Sequence, residues 1–324
     1  MAVRVGVAGL GYWGPNLARN FDDLAELAWL CDWDDERRER FATRYPGARV
    51  TASVDEMLAD DSLDAVVVAT PVPTHYALAK QALEAGKHVL VEKPPAMHAA
   101  EIDELVDLAS AAGRVLMPGH LLLYHPGVVK LKELIESGEL GDILCVYGNR
   151  QNLGIVRTNE NALWSLGVHD LSVILYLLDE DPVVATAQGR DFLTPGVEDV
   201  VFCFLRFPSG KIAHMHLSWL DPHKMRKITV VGTEKMAVFD DMELERKVTV
   251  YEKAPWKRTD SYGEWQTRSG DITIPKIPTD EPLRLECEHF LALVHGEGDR
   301  HRVATDGARV VRALERLTES LAGR

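Results

Sequence analysis

Lys93 and His169 are the side chains of this sequence best suited to moving a proton at a reacting oxygen. Lys93 stands in HVLVEKPP, directly after an apolar run and before two prolines. A lysine taken out of water at such a strand end gives up its proton more readily, and can stabilise or protonate an alkoxide. The competing reading is a solvated lysine that merely follows a strand. His169 lies in ALWSLGVHDLSVILYLL, where Trp164, Leu166, Val168, Leu171 and Ile174 make one predicted helix, Ala162 to Leu178, apolar on most sides. A histidine there is either a satisfied core group or a catalyst. Asn161, Ser165 and His169 recur every four residues and so predict one polar stripe. On a buried helix such a stripe must face a cavity or a ligand, because unpartnered polar groups are costly.

Other polar groups carry weaker signals. Arg150, Asn152 and Arg157 follow a strand in NRQNLGIVRTNEN; a guanidinium there either binds a carboxylate or diphosphate in bidentate fashion or is solvated. His214 and His216 alternate on one strand face, which without a carboxylate partner is a poor metal site, so no metal is expected. His75, His120, Tyr124 and His125 adjoin strand ends and fit cleft positions. Cys31, Cys145, Cys203 and Cys287 lie far apart with no C-x-x-C spacing, which predicts reduced thiols in the cytoplasm.

The elements that must position these groups begin with VRVGVAGLGYWG. Val3 to Val7 reads as a strand, Gly9, Gly11 and Gly14 form G-x-G-x-x-G, and Pro15 to Phe21 opens a helix. The glycines suit a tight turn, close approach to a pyrophosphate and helix-on-strand packing, and the helix N-terminus faces the anion. A second strand, Leu27 to Cys31, ends on Asp32, eighteen residues beyond Gly14, where a carboxylate can bond an adenosine ribose. Asp32 would repel a 2′-phosphate, so NAD is expected over NADP; Arg37 and Arg38 are side chains that could receive such a phosphate, but are read as pointing to solvent. Strands at Ala65 to Ala69, His88 to Val91 and Val115 to Met117 alternate with helices, one of them capped by Thr74, which predicts a doubly wound parallel sheet. Thr70-Pro71, Glu92 and Lys93 fall at carboxyl ends of its strands, where ligands bind. Beyond Gly119 strands dominate, and the expected architecture is a Rossmann domain over 1–119 followed by an α+β domain over 120–324. That second domain has a large, mostly antiparallel sheet; Trp256 to Asp280 is read as a surface excursion, and the final helices can pack back on the first domain. Helices on one sheet face leave the other to be covered by a second copy, so a homodimer or homotetramer is expected. A net charge of -14 excludes a phosphate-tracking nucleic-acid surface, and no apolar run reaches a membrane span.

The sequence resembles the glucose–fructose oxidoreductase / inositol dehydrogenase / MocA family across essentially its whole length. The resemblance rests on VGVAGLGYWG, VVVATPVPTHYALAKQALEAGKHVLVEKP, LKELIESGELGDI and LWSLGVHDL. It implies a nicotinamide-dependent dehydrogenase with Lys93 and His169 as the catalytic pair. The cofactor would be contacted by Gly9, Gly11, Tyr12, Trp13, Gly14, Asp32, Thr70, Pro71, His75, Glu92 and Lys93. Many members carry an aspartate four residues before the histidine; here Ser165 stands there, and Asp170 points about 100° away from His169 around a helix. GHLLLYHPGVVKLKELI, RQNLGIVRTNENALWSLGVHD and SWLDPHKMRKITVVG resemble instead the nucleotide-sugar branch, bacterial 3-dehydrogenases of UDP-N-acetylglucosaminuronate or UDP-N-acetylglucosamine. The substrate would then meet Lys93, Tyr124, Arg150, Asn152, Arg157, Asn161, Ser165 and His169. The alternatives are a dehydrogenase of a free polyol or sugar such as inositol, and a non-catalytic dinucleotide-binding sensor or assembly protein.

Overall fold

A computed structural model describes residues 2–154, 156–158, 160–257 and 265–322. The chain divides into two compact units, Met1–Tyr124 with Asp280–Arg312, and His125–Thr279 with Ala313–Arg324. The dividing line thus falls at 124/125, and a stretch from the C-terminal third belongs to the first unit.

In chain order the first stretch runs β1 (Arg4–Ala8), α1 (Gly14–Leu24), β2 (Glu26–Cys31), α2 (Asp35–Arg44), β3 (Arg49–Thr51) and α3 (Val54–Leu58). It continues with β4 (Ala65–Val68), α4 (His75–Glu84), β5 (His88–Glu92), α5 (Ala99–Ala112) and β6 (Leu116–Gly119). The second unit holds α6 (Pro126–Glu136), β7 (Ile143–Gln151), α7 (Val168–Leu178), β8 (Val184–Arg190), β9 (Val200–Arg206) and β10 (Ile212–Ser218). Then come β11 (Met225–Gly232), β12 (Met236–Asp240), β13 (Val248–Lys257) and β14 (Trp265–Thr273), followed by α8 (Pro282–Val294) and α9 (Arg300–Ala322).

Six parallel strands in the order β3-β2-β1-β4-β5-β6 form the first sheet, so the strand order reverses between β1 and β4. The unbroken apolar run of β4 is explained by two covering layers. Ala65 and Val67 point into a cluster with Val5, Val7, Leu17, Phe21 and, from α8, Leu283, Cys287 and Phe290. Val66 and Val68 point into the opposite cluster, with Ala79, Leu83, Ile102, Leu105 and, from α9, Ala304, Ala308 and Val311. Each buried Val, Leu, Ile or Phe among them contributes about 1.5–3 kcal/mol of transfer free energy. Thr74 does not cap α4 as expected: its hydroxyl donates to the Pro71 carbonyl at 2.7 Å, a contact within the turn.

The second sheet, β14-β13-β12-β11-β7-β10-β9-β8, is antiparallel except where β10 runs parallel to β7. Strand alternation sends Val201, Cys203, Leu205, Ala213, Met215 and Leu217 inward. Phe202, Phe204 and Ile212 point outward and remain exposed. On that outer face Tyr147 stacks on His214 and Phe202 on His216, with ring centroids 4.8 and 4.3 Å apart. Two expectations are corrected here. The proline-rich Trp256 to Asp280 stretch is not a plain excursion: it contributes to the β13–β14 hairpin, and only 258–264 within it lies outside the described residues. Its edge strand is exposed and so lacks the apolar alternation that marks a strand in sequence. The helix expected from Ala162 to Leu178 is also not uniform, since Leu163–Gly167 forms a π turn before α7 begins.

Candidate active site

Within the first unit the three motif glycines divide their tasks as the spacing predicts. Gly9 has φ of 96°, and a Cβ there would overlap the Ala69 carbonyl. A Cβ on Gly14 would overlap the Gly9 carbonyl oxygen, which fixes how closely α1 starts on the turn. A Cβ on Gly11 meets nothing nearer than Nη1 of Arg37 at 3.5 Å, so its backbone borders open space. The first turn of α1 has neither a side-chain cap nor an acidic residue, so no negative charge of its own opposes an anion there. A cradle whose middle glycine alone faces open space fits a dinucleotide pyrophosphate.

Asp32 closes the cradle. Its Oδ2 accepts the Leu10 amide at 2.7 Å and its Oδ1 the Asp34 amide at 3.0 Å, and Arg37 reaches the same carboxylate at 3.4 Å. Arg37 and Arg38 do not point simply to solvent. Arg38 donates to the Asp32 carbonyl at 2.8 Å. Tyr12 in the glycine turn and Trp33 after Asp32 are the two most exposed aromatic rings at the cradle, at 88% and 78%. Trp33 was missed in the sequence; its place next to Asp32 was the available signal.

Thr70, His75, Glu92, Lys93 and His120 gather at the ends of β4, β5 and β6. Thr70 shares a 2.7 Å hydroxyl contact with Thr74, beside Pro71, and the Lys93-Pro94 peptide is cis. Burial pushes the Glu92 carboxyl up to about 7, against the pull of Lys93 and a hydrogen bond from the Trp13 side chain. Tyr12 and Trp13, neighbours in sequence, therefore part: one is exposed at the turn, the other reaches toward β5. His120 follows β6, where Gly119 pairs with Glu92. It is buried with both ring nitrogens unpartnered among the described residues, and burial, with Lys93 second, holds it down to about 4. On α8, Glu286 is fully buried with both carboxyl oxygens unpartnered among the described residues, and is raised well above the usual range by burial and by Glu92. From sequence His120 is read only as fitting a cleft position, and Glu286 not at all, because burial without partners leaves no local signature. Tyr124 bonds His289 through its hydroxyl at 2.7 Å, and His125 caps α6 by accepting the Gly127 amide, so His125 is a structural group.

In the second unit Arg150 lies within β7 rather than after it, and it is engaged. Its Nε and Nη2 donate to Oδ1 of Asp170 at 3.0 and 2.8 Å, and both side chains are buried. Burial raises the Asp170 carboxyl while Arg150 opposes the rise. His169, next to Asp170, is partly exposed. The π turn Leu163–Gly167 lies between Asn161 and His169, the two ends of the expected polar stripe, and includes Ser165. The Asn161 side chain accepts the Trp164 amide at 3.1 Å and donates to Glu198 at 2.8 Å. Ser165 is buried, and its amide donates to the Asn161 carbonyl. Arg157 pairs with Glu160 at 2.7 Å, and Asn152 joins the strand end through its amide to Ser218. No group of His, Cys, Asp and Glu side chains suited to a metal occurs among the described residues.

Residues 3–120 match the oxidoreductase family with an NAD-binding Rossmann fold, and residues 128–238 match the GFO/IDH/MocA C-terminal domain. Inositol 2-dehydrogenase 2 of Paenarthrobacter aurescens is 31% identical over 99% of this chain and 96% of its own length. UDP-N-acetylglucosamine 3-dehydrogenase of Acidithiobacillus ferrooxidans is 28% identical over 74% of each chain. The 2,7-anhydro-N-acetylneuraminate hydratase of Escherichia coli is 31% identical over 65% of this chain, a match that spans only 60% of the hydratase. Among solved structures, the Acidithiobacillus enzyme superposes with a TM-score of 0.82 at 25% identity, covering 99% of this chain and 98% of that one. GenD2 from gentamicin A biosynthesis, solved in complex with NAD, gives 0.82 at 28% identity, covering 99% and 95%.

Proposed function

We propose, from the premise that this chain belongs to the GFO/IDH/MocA family of NAD-binding oxidoreductases, that it oxidises the 3-hydroxyl of a UDP-linked N-acetylated sugar to a ketone. The observation that carries the reading is Lys93 at the carboxyl end of β5, in the sheet whose first turn is shaped for a dinucleotide. Bound NAD supplies the acceptor for the hydride leaving the sugar's C3. Lys93 and His169 take the hydroxyl proton and hold the developing alkoxide, and the Glu92 carboxylate, which titrates near neutrality, supplies the charge facing Lys93. General acid–base help of this kind is worth roughly 10²–10⁴-fold, so Lys93→Ala and His169→Ala should each cost that much in turnover with the fold intact.

Likeness to the UDP-N-acetylglucosamine 3-dehydrogenase supports the nucleotide sugar, as does Ser165 in place of an aspartate. Asn152, Asn161 and Arg157 are the candidates for the sugar and its anionic parts. The second reading, oxidation of a free polyol, draws on the inositol dehydrogenase that matches nearly the whole chain. A panel of UDP-N-acetylglucosaminuronate, UDP-N-acetylglucosamine and myo-inositol, followed at the NADH absorbance, separates the two. A parallel series with 2-oxoglutarate as external hydride acceptor catches an enzyme that retains its reduced cofactor. Turnover of inositol alone would replace the first reading by the second. The outer face of the β8–β9–β10–β7 sheet, with Phe202, Phe204 and Ile212, is the surface on which a second copy sits. Four free cysteines fit a cytoplasmic setting, and no helix among the described residues is long and apolar enough to cross a membrane.

A further inference from the structure

His75 opens α4 with only 1% of its surface exposed and is held at both ring nitrogens. Nδ1 lies 2.8 Å from the Pro94 carbonyl oxygen, and Nε2 lies 2.7 Å from the Thr70 carbonyl oxygen. A carbonyl oxygen only accepts, so each contact requires a proton on the ring nitrogen. A neutral imidazole has one such proton; the other contact would then set two lone pairs against each other at hydrogen-bond distance. Both contacts are satisfied only by an imidazolium.

We propose that His75 is a buried cationic clamp whose two N–H groups tie the exit of β4, at Thr70, to the turn that carries Lys93. The two carbonyls belong to segments joined to adjacent strands of the sheet, so the clamp sets the spacing between the end of β4 and the Lys93-Pro94 turn. His75 is thereby a positioning residue, and its role in turnover rests on the reading of Lys93 as an acid/base group. The charged groups on the packed elements suit a cation. β4 and the turn Val72–Thr74 bring no ionisable side chain, and β5 brings Glu92 and Lys93. From α5 come Glu101, which accepts the Met97 amide at 3.1 Å, and Glu104, which binds Tyr76 and Lys80 of α4 itself at 2.5 Å each. Three carboxyl groups thus stand against two ammonium groups. A fixed positive charge held on the carbonyl of Pro94, the residue after Lys93, also disfavours a second one on that amine.

The full-length protein labelled with 15N-histidine tests the clamp directly through its imidazole 1H–15N spectrum. The expected result is a His75 ring, assigned by its loss in His75→Gln, with protons on both nitrogens up to about pH 8, well beyond the unperturbed value of about 6.5. One unprotonated nitrogen at neutral pH overturns the clamp, whatever reaction the protein catalyses. In His75→Gln turnover should fall on the order of 10²-fold with KM little changed, the signature of a displaced catalytic group. The limb of the pH–rate profile that requires neutral Lys93 should move to higher pH. Unchanged turnover and an unchanged limb overturn the positioning role. Should the glutamine variant fail to fold, the wild-type spectrum still decides, because only a ring with two N–H groups fits the proposal. If Lys93→Ala keeps full turnover while His75 is doubly protonated, the acid/base reading fails and the clamp stands.

Discussion

Replacing Arg150 by methionine should destabilise the second unit rather than remove a substrate contact. The guanidinium makes two hydrogen bonds to one oxygen of Asp170, whose side chain is fully buried, and the other oxygen has no partner among the described residues. Breaking a buried pair from one side costs about 3–5 kcal/mol, against a total stability of about 5–15 kcal/mol for a typical domain. The pH dependence follows from the direction of the Asp170 shift. Burial already raises that carboxyl and Arg150 opposes the rise. Without the guanidinium the folded state keeps a proton that the unfolded chain has released above about pH 4. The deficit of Arg150→Met should therefore widen as pH rises and narrow in mild acid. The double variant Arg150→Met/Asp170→Asn, with no buried charge, should come back to within about 1–2 kcal/mol of wild type. Urea unfolding of the three proteins at about pH 5 and about pH 8 measures each term. A methionine variant as stable as wild type, but with KM for the nucleotide sugar raised tenfold, would make Arg150 a substrate ligand and refute this reasoning.

Other outcomes are open to simpler assays. Gly11→Ala should fold normally yet lose NAD affinity by tenfold or more, about 1.4 kcal/mol, whereas Gly14→Ala should lower the unfolding midpoint because its methyl overlaps the Gly9 carbonyl; NAD titration and thermal melts distinguish them. His88 and His120 are both held down to about 4, chiefly by burial, so the unfolded chain takes up their protons first. Stability should then be complete above about pH 6.5 and fall as the pH drops toward 4, by up to about 3 kcal/mol per histidine, and His120→Asn should flatten the slope. Phe202→Glu places a charge on the outer sheet face and should shift the protein toward monomer in sedimentation. Acidification should do the same in wild type, since burial lowers the pKa of His214 and His216 and their protonation charges that face.

What could be read from the sequence was what depends on neighbours along the chain. The glycine cradle was legible because Gly14 answers to the Gly9 carbonyl within one turn and Gly9 to its own positive φ, and the alternating strands because Ala65 to Val68 need cover on both faces. Distance in sequence hid the rest. Nothing near Val5 or Val7 announces that Leu283 and Phe290 will cover them. Asp170 was read correctly as pointing away from His169, but its partner comes from a strand twenty residues earlier, and only tertiary packing shows that Arg150 is engaged there. The π turn is equally hidden: no residue type in Leu163–Gly167 distinguishes a wider coil from an ordinary helical turn. Burial of His120 and Glu286 without partners can be seen only once the fold surrounds them.

The carboxylate of Asp32 has an implication for anyone who would re-engineer the nucleotide preference. Each of its oxygens already receives a main-chain amide, from Leu10 or Asp34. A swap to serine, made to admit a phosphorylated ribose, would also strip the glycine turn of its internal brace. The retrofit must first give the Leu10 amide a new acceptor. The cations that a phosphate needs are already in place at Arg37 and Arg38.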